Sequence, residues 1–190
     1  MIRELASHPG PTVYVDPGVS KGHGVVYFDG ARNLYRCEVQ TNSVECYASE
    51  RIAVETPTVA FAGTVPTIIE LARAAERAVR NWPEYLITYV PPQDWKAGTK
   101  AQHQAHVWDA LTDAEEQVVT RFAQDRGLRN LSTADSIDAT LRGRCAKSLS
   151  GKRDTEWILG NVLDAIGLGL WCLGRIDKFG RANPAWQKRS

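Results

Sequence analysis

The chain has 190 residues, 43% of them hydrophobic, which is enough for one compact domain with its own core and too few for two full-sized ones. Its formal net charge of +1 excludes a uniformly basic nucleic-acid binder, although phosphate binding depends on where charges sit rather than on their sum. No run approaches the roughly 20 apolar residues of a membrane span, and the start MIRELASHPG lacks the apolar core of a secretion signal.

The expectation is therefore a cytoplasmic protein with no membrane association. Its four cysteines have no C-x-x-C spacing, which fits reduced core residues better than zinc ligands or disulfides. Residues 1–10 read as a loose arm ending in the breaker run His8-Pro9-Gly10-Pro11. Thr12-Val13-Tyr14-Val15 is a β-branched and aromatic run that halts at Asp16-Pro17-Gly18, where proline cannot continue a ladder, and it predicts a buried first strand. Gly24–Phe28 and Leu34–Gln40 predict two more strands, joined by the hairpin signal Asp29-Gly30, so the chain opens with three antiparallel strands. Arg51 to Pro57 gives a fourth, again ended by a proline just after a carboxylate, Glu55. Thr64–Arg80 carries apolar residues near the helical period, and Tyr85–Val90 is a fifth strand stopped by Pro91-Pro92. From Lys100 to about Arg126 the pattern is helical, with a break and a new N-cap at Thr112. Arg129–Arg153 has no clear pattern, Thr155–Leu173 is an apolar helix, and residues 176–190 form a basic tail containing Pro184. Three strands in a meander, then strand, helix, strand and helices, predict a single α/β domain with a mixed five-stranded sheet flanked by helices.

Two carboxylates at the ends of otherwise apolar strands require compensation, because an unpaired buried charge costs several kcal/mol. Asp164 adds a third, set within the broad apolar surface formed by Ile158, Leu159, Val162, Leu163, Ile166 and Leu170. If the last helix packs beside strands one and four, Asp16, Glu55 and Asp164 converge, and bound cations make that arrangement favourable. Hard oxygen ligands select magnesium, with manganese as a substitute, over zinc. The chemistry implied is phosphodiester hydrolysis by two metals roughly 4 Å apart, with Asp16 bridging them.

The run Val15-Asp16-Pro17-Gly18 followed by Gly22-His23-Gly24-Val25 resembles the opening hairpin of RuvC-type Holliday junction resolvases. Ile52 to Pro57 resembles the family's second acidic strand, Tyr89 to Lys96 with Lys100 its next strand and basic loop, and Asp164-Ala165-Ile166-Gly167-Leu168 its acidic C-terminal helix. The resemblance covers most of Val13 to Arg175 and thins between about Leu111 and Asp154. It implies a ribonuclease H-like nuclease domain that cuts branched DNA as a homodimer with magnesium. Where such proteins usually carry a second Asp or a His one turn before the last acid, this chain has Asn161, which ligates a cation only weakly or positions water. Asn161 motivates a second reading, a catalytically weak module that binds structured nucleic acid. A third, the sugar-kinase and actin-like ATPase fold, needs a second similar lobe for which the chain has no room.

Several further residues are candidates. Lys21, Lys96 and Lys100 are expected to contact phosphate. Phe61 is either a wedge that stacks on unpaired bases or a core residue, and His23 either approaches the metals or occupies a hairpin tip. The segment 111–154 is either an added DNA-gripping element or a surface excursion. Gly167 and Gly169 predict a close approach of the last helix to the sheet. Trp157 and Trp171 are expected in the core or a dimer interface, and the basic clusters around Arg142 and Arg175 are either phosphate-binding or solvated surface charges.

Overall fold

Five strands form one mixed sheet: β1 (Thr12–Asp16), β2 (His23–Phe28), β3 (Leu34–Gln40), β4 (Arg51–Glu55) and β5 (Ile87–Val90), in the spatial order β3-β2-β1-β4-β5. The three N-terminal strands are antiparallel neighbours, whereas β4 runs parallel to β1 and β5 parallel to β4. The computed structural model describes residues 10–19, 22–45, 51–57, 65–143 and 156–187. Its helices are α1 (Val65–Val79), α2 (Pro92–Trp95), α3 (Lys100–Asp109), α4 (Asp113–Asp125), α5 (Ala134–Arg142), α6 (Glu156–Cys172) and α7 (Pro184–Gln187). The α/β class and the five-stranded mixed sheet match the expectation. Lys21 and Phe61 lie outside the described residues.

Side chains alternate across the sheet, which gives it two apolar faces. Val13, Val15, Val25, Tyr27, Ile52 and Val54 pack with Ala75, Ala78 and Val79 of α1. Tyr14, Val26, Phe28, Ala53 and Val90 belong to the larger core, with Leu159, Leu163 and Ile166 of α6. Helix α6 reaches the strands closely because glycine allows it. A Cβ on Gly24 of β2 would lie 2.3 Å from the backbone oxygen of Asn161, and one on Gly169 would lie 2.7 Å from the Phe28 ring. Gly167 differs from the expectation: its open side faces Val107, His103 and Trp95 rather than the sheet.

The segment that carried no clear pattern is packed over its described part, to residue 143: Leu131, Ile137 and Leu141 are buried in the larger core, beside Val119 and Phe122 of α4 and Leu128. Thr112 caps α4 as expected, with its side chain accepting from the backbone of Glu115 and the Glu115 carboxylate accepting from the backbone of Thr112. Glu115 also accepts from the backbone N–H of Leu34 at 2.9 Å and from both terminal nitrogens of Arg175 at 2.6 and 2.7 Å. This buried pair ties β3, α4 and the end of α6 together. Arg175 is therefore an internal clasp, and Arg142, paired with Asp109 and Asp138, is neutralised on the surface.

The C-terminal stretch is folded over the part of it that is described. Ile176 bridges Ala182, and Lys178 accepts a backbone bond from Ala97, which fastens the loop after β5. Three other details depart from expectation. Strand β5 starts at Ile87 because Glu84–Leu86 form a 3-10 turn after Pro83. In the β2–β3 turn the left-handed residue is Arg32 (φ 71°) rather than Gly30, and the Asp29 carboxylate accepts from the backbone of Asn33 to hold it. His23 is not at a hairpin tip but is the buried first residue of β2, and burial lowers its pKa to about 4.

Candidate functional site

Strand parity decides where the first two acids point. Tyr14 and Ala53 face α6, so Asp16 and Glu55, two residues further along β1 and β4, face α6 as well. Val15 is paired in parallel register with Val54. Asp16 and Glu55 are thus the next positions on neighbouring strands, about 4.8 Å apart in backbone spacing. Both strands stop there because Pro17 follows Asp16 directly and Pro57 follows Glu55 after one residue.

Asp164 comes to the same place from α6. Trp157, Asn161 and Asp164 are spaced four and three residues apart and share one helix face. Asp164 is 0% exposed. Asp16, Glu55 and Asn161 line one cavity of about 350 Å³, together with Lys96 and Lys100, with Leu71 and Trp157 on its apolar side. Asn161 donates to the backbone oxygen of Gly22 at 3.5 Å, which links α6 to the β1–β2 turn.

The two lysines come from the segment after β5. Lys96 follows the short helix α2, stands 4.4 Å from the ring centroid of Trp95, and bridges Glu55 at 3.2 Å and Asp164 at 3.8 Å. Lys100 opens α3 and meets Asp164 at 2.6 Å. A cation in the first turn opposes the helix dipole, so Lys100 depends on that carboxylate for its place. Gln104, one turn further along α3, donates to Asp164 at 3.1 Å and to the backbone oxygen of Gly160 at 3.1 Å. Both lysines therefore point inward onto the acids, whereas the sequence gives them only as phosphate contacts.

Charge in this cavity is unequally shared. Burial, then Glu55 and Asp164, push Asp16 well above the ordinary carboxylate value. Burial also raises Glu55, against the pull of Lys96. Asp164 behaves oppositely: although burial alone would raise it, Lys100 and Lys96 hold it below its ordinary value. Burial would lower Lys96, but Asp164, Glu55 and Asp16 more than offset this and keep it protonated. Asp16, Glu55 and Asp164 thus face two cations, Lys96 and Lys100, and the two acids whose ionisation burial leaves disfavoured are Asp16 and Glu55.

Carboxylate oxygens are the donor type that hard divalent cations take, but here they are engaged by ammonium groups. All three acids offer carboxylate oxygens, and the buried Oδ2 of Asp164 has ammonium contacts but no well-aligned hydrogen bond. Among the described residues no three His, Cys, Asp or Glu side chains form a ready ion-binding group. The lysines hold the carboxylates instead. Sequence reasoning missed Gln104 and the place of Trp157 at the cavity. Their signals are the spacing of four from Lys100 to Gln104 and of seven from Trp157 to Asp164.

No protein-family model matches this chain, and no curated protein matches it. Among the described residues no helix is long and apolar enough to cross a membrane.

Proposed function

We propose that this chain is a metal-dependent endonuclease of the ribonuclease H-like class that cuts branched DNA. The observation that carries the reading is the meeting of Asp16, Glu55 and Asp164 from two strand ends and one helix, with Lys96 and Lys100 among them. An antiparallel meander continued by two parallel strands is the sheet this reading requires, and it supports the assignment.

Asp16, Glu55 and Asp164 are the residues that would hold magnesium or manganese. Bound there, the ions would supply water activation and stabilisation of the leaving oxygen. Lys96 and Lys100 attract the phosphodiester, Gln104 fixes the orientation of Asp164, and Asn161 sets the distance from α6 to the β1–β2 turn. A junction needs two cuts, so a homodimer belongs to the same reading. Val65 and Ile69, 67% and 45% exposed on α1, offer apolar surface for pairing.

The test is cleavage of a synthetic four-way junction, a fork and a plain duplex with magnesium, by wild type, Asp16→Asn and Asp164→Asn, alongside manganese titration by calorimetry. Wild type cuts branched DNA and the variants do not. Absence of both cleavage and metal binding rejects the proposal. The lysine-compensated acids favour one second reading, a binding module without chemistry. In that case wild type and Asp16→Asn bind junctions equally and neither cleaves.

A further inference from the structure

The cavity lined by Asp16 and Glu55 is chemically two-sided. Asp16, Glu55, Lys96, Lys100 and Asn161 make one side polar and charged, while Leu71 of α1 and Trp157 of α6 make the other apolar. Water and hydrated cations have no use for an indole wall. Its volume of about 350 Å³ falls at the small end of the range for sites that enclose a small molecule. Trp157 is half-buried and lies two helical turns from Asp164, on the same face. A ligand that satisfies both sides carries an anion at one end, for the lysines, and a flat apolar ring at the other, for the indole.

We infer that Trp157 is the stacking platform of a one-nucleotide subsite, which receives an unpaired base next to the phosphate held by Lys96 and Lys100. The inference rests on the nuclease reading and narrows its substrate class. A base inside a continuous duplex is already stacked and paired and cannot enter such a cavity without being extruded. A base at a fork, gap or junction is free to do so. Selection for branched DNA then arises within the site itself, as the availability of a loose base.

The test uses the full chain with calcium in place of magnesium, so that a divalent cation can neutralise the acids, with cleavage checked on a gel, and with DNA forks carrying 2-aminopurine at the unpaired nucleotide beside the branch. A paired duplex carrying the same probe is the control. Wild type quenches the fork probe and leaves the duplex probe unchanged, and Trp157→Phe retains most of the quenching. Trp157→Ala loses it, and its affinity for the fork falls about 5- to 150-fold, as expected for one lost base stack, with duplex affinity unchanged. Should the alanine variant not fold by circular dichroism, Trp157→Leu, which keeps bulk without a ring face, replaces it. Equal quenching and equal fork affinity in the ringless variant overturn the subsite and leave the nuclease proposal standing. Failure of wild type to bind any DNA overturns both.

Discussion

Lys100→Met tests the charge balance of the site directly, because it removes the ammonium and keeps most of the side chain's volume. Lys100 lies 2.6 Å from a carboxylate that is 0% exposed, and breaking a buried pair costs roughly 3–5 kcal/mol. The lysine itself is 37% exposed and Lys96 remains 3.8 Å from Asp164, so screening and the second cation reduce the expected loss to about 2 kcal/mol. For a chain of this length that corresponds to a fall of roughly 4–8 °C in Tm. The assay is thermal unfolding at pH 7.5 in EDTA, with Asp164→Asn and the double variant completing a cycle. The coupling between the two positions should be about 1–2 kcal/mol. Manganese supplies a positive charge at the same carboxylate, and a ligand at a hundred times its Kd adds about 2.7 kcal/mol. It should therefore stabilise Lys100→Met more than wild type, in which the ion competes with the ammonium. A coupling near zero, or equal stabilisation of both proteins by manganese, would refute the claim that Lys100 is the internal counter-ion of Asp164.

Four other perturbations probe the framework. Asp16 has its folded-state pKa raised by burial, Glu55 and Asp164, so its stabilising effect is present below the ordinary value of 3.8 and is lost as pH rises through the folded value. Asp16→Asn should therefore raise Tm at pH 7 in EDTA and flatten the profile above pH 4, whereas a profile parallel to wild type contradicts the assignment. Asp164, held low by Lys100 and Lys96 against burial, has the opposite sign, and Asp164→Asn should destabilise at pH 7 and lose that effect as pH falls below 3.8. Gly24→Ala would place a Cβ 2.3 Å from the Asn161 carbonyl oxygen and 2.9 Å from the Val162 nitrogen, both backbone atoms, so α6 must retreat; a loss of about 2 kcal/mol or more in urea melts and reduced cleavage should follow together. Arg175→Ala leaves the Glu115 carboxylate buried without its partner and should cost about 3–5 kcal/mol, seen as a lower denaturation midpoint at unchanged m-value.

What the sequence discloses follows from how local each signal is. Strand ends are legible because Pro17 and Pro57 stop ladders wherever they occur, and the cap at Thr112 is legible because Thr112 and Glu115 satisfy each other within one turn. The acids are legible for the same reason, as charges stranded beside breakers. Helix α5 is not, since only Ile137 and Leu141 of its 9 residues are buried and Asp135, Asp138 and Arg142 dominate its composition. Arg175 reads as part of a basic tail, because nothing within several residues of it announces Glu115, sixty positions away. The lysines are recognised as important and given an incomplete role. Their number and position are local facts, but their partners are set by how α3 packs on α6.

That packing constrains what the site can accept. A cation entering alone meets the ammonium groups of Lys96 and Lys100, and an anion entering alone meets Asp16, Glu55 and Asp164. Each is repelled by the half of the site that the other would neutralise. On the proposed reading, a divalent cation and a phosphodiester arriving together would satisfy both halves: Asp16, Glu55 and Asp164 would hold the cation, and Lys96 and Lys100 would turn to the phosphate. Linkage then requires that each ligand raise the affinity for the other by the same factor. On the proposed nuclease reading, the ion pairs that neutralise the acids would make metal binding conditional on substrate, a consequence of placing the lysines on α3 and the loop before it rather than on the sheet that carries two of the acids.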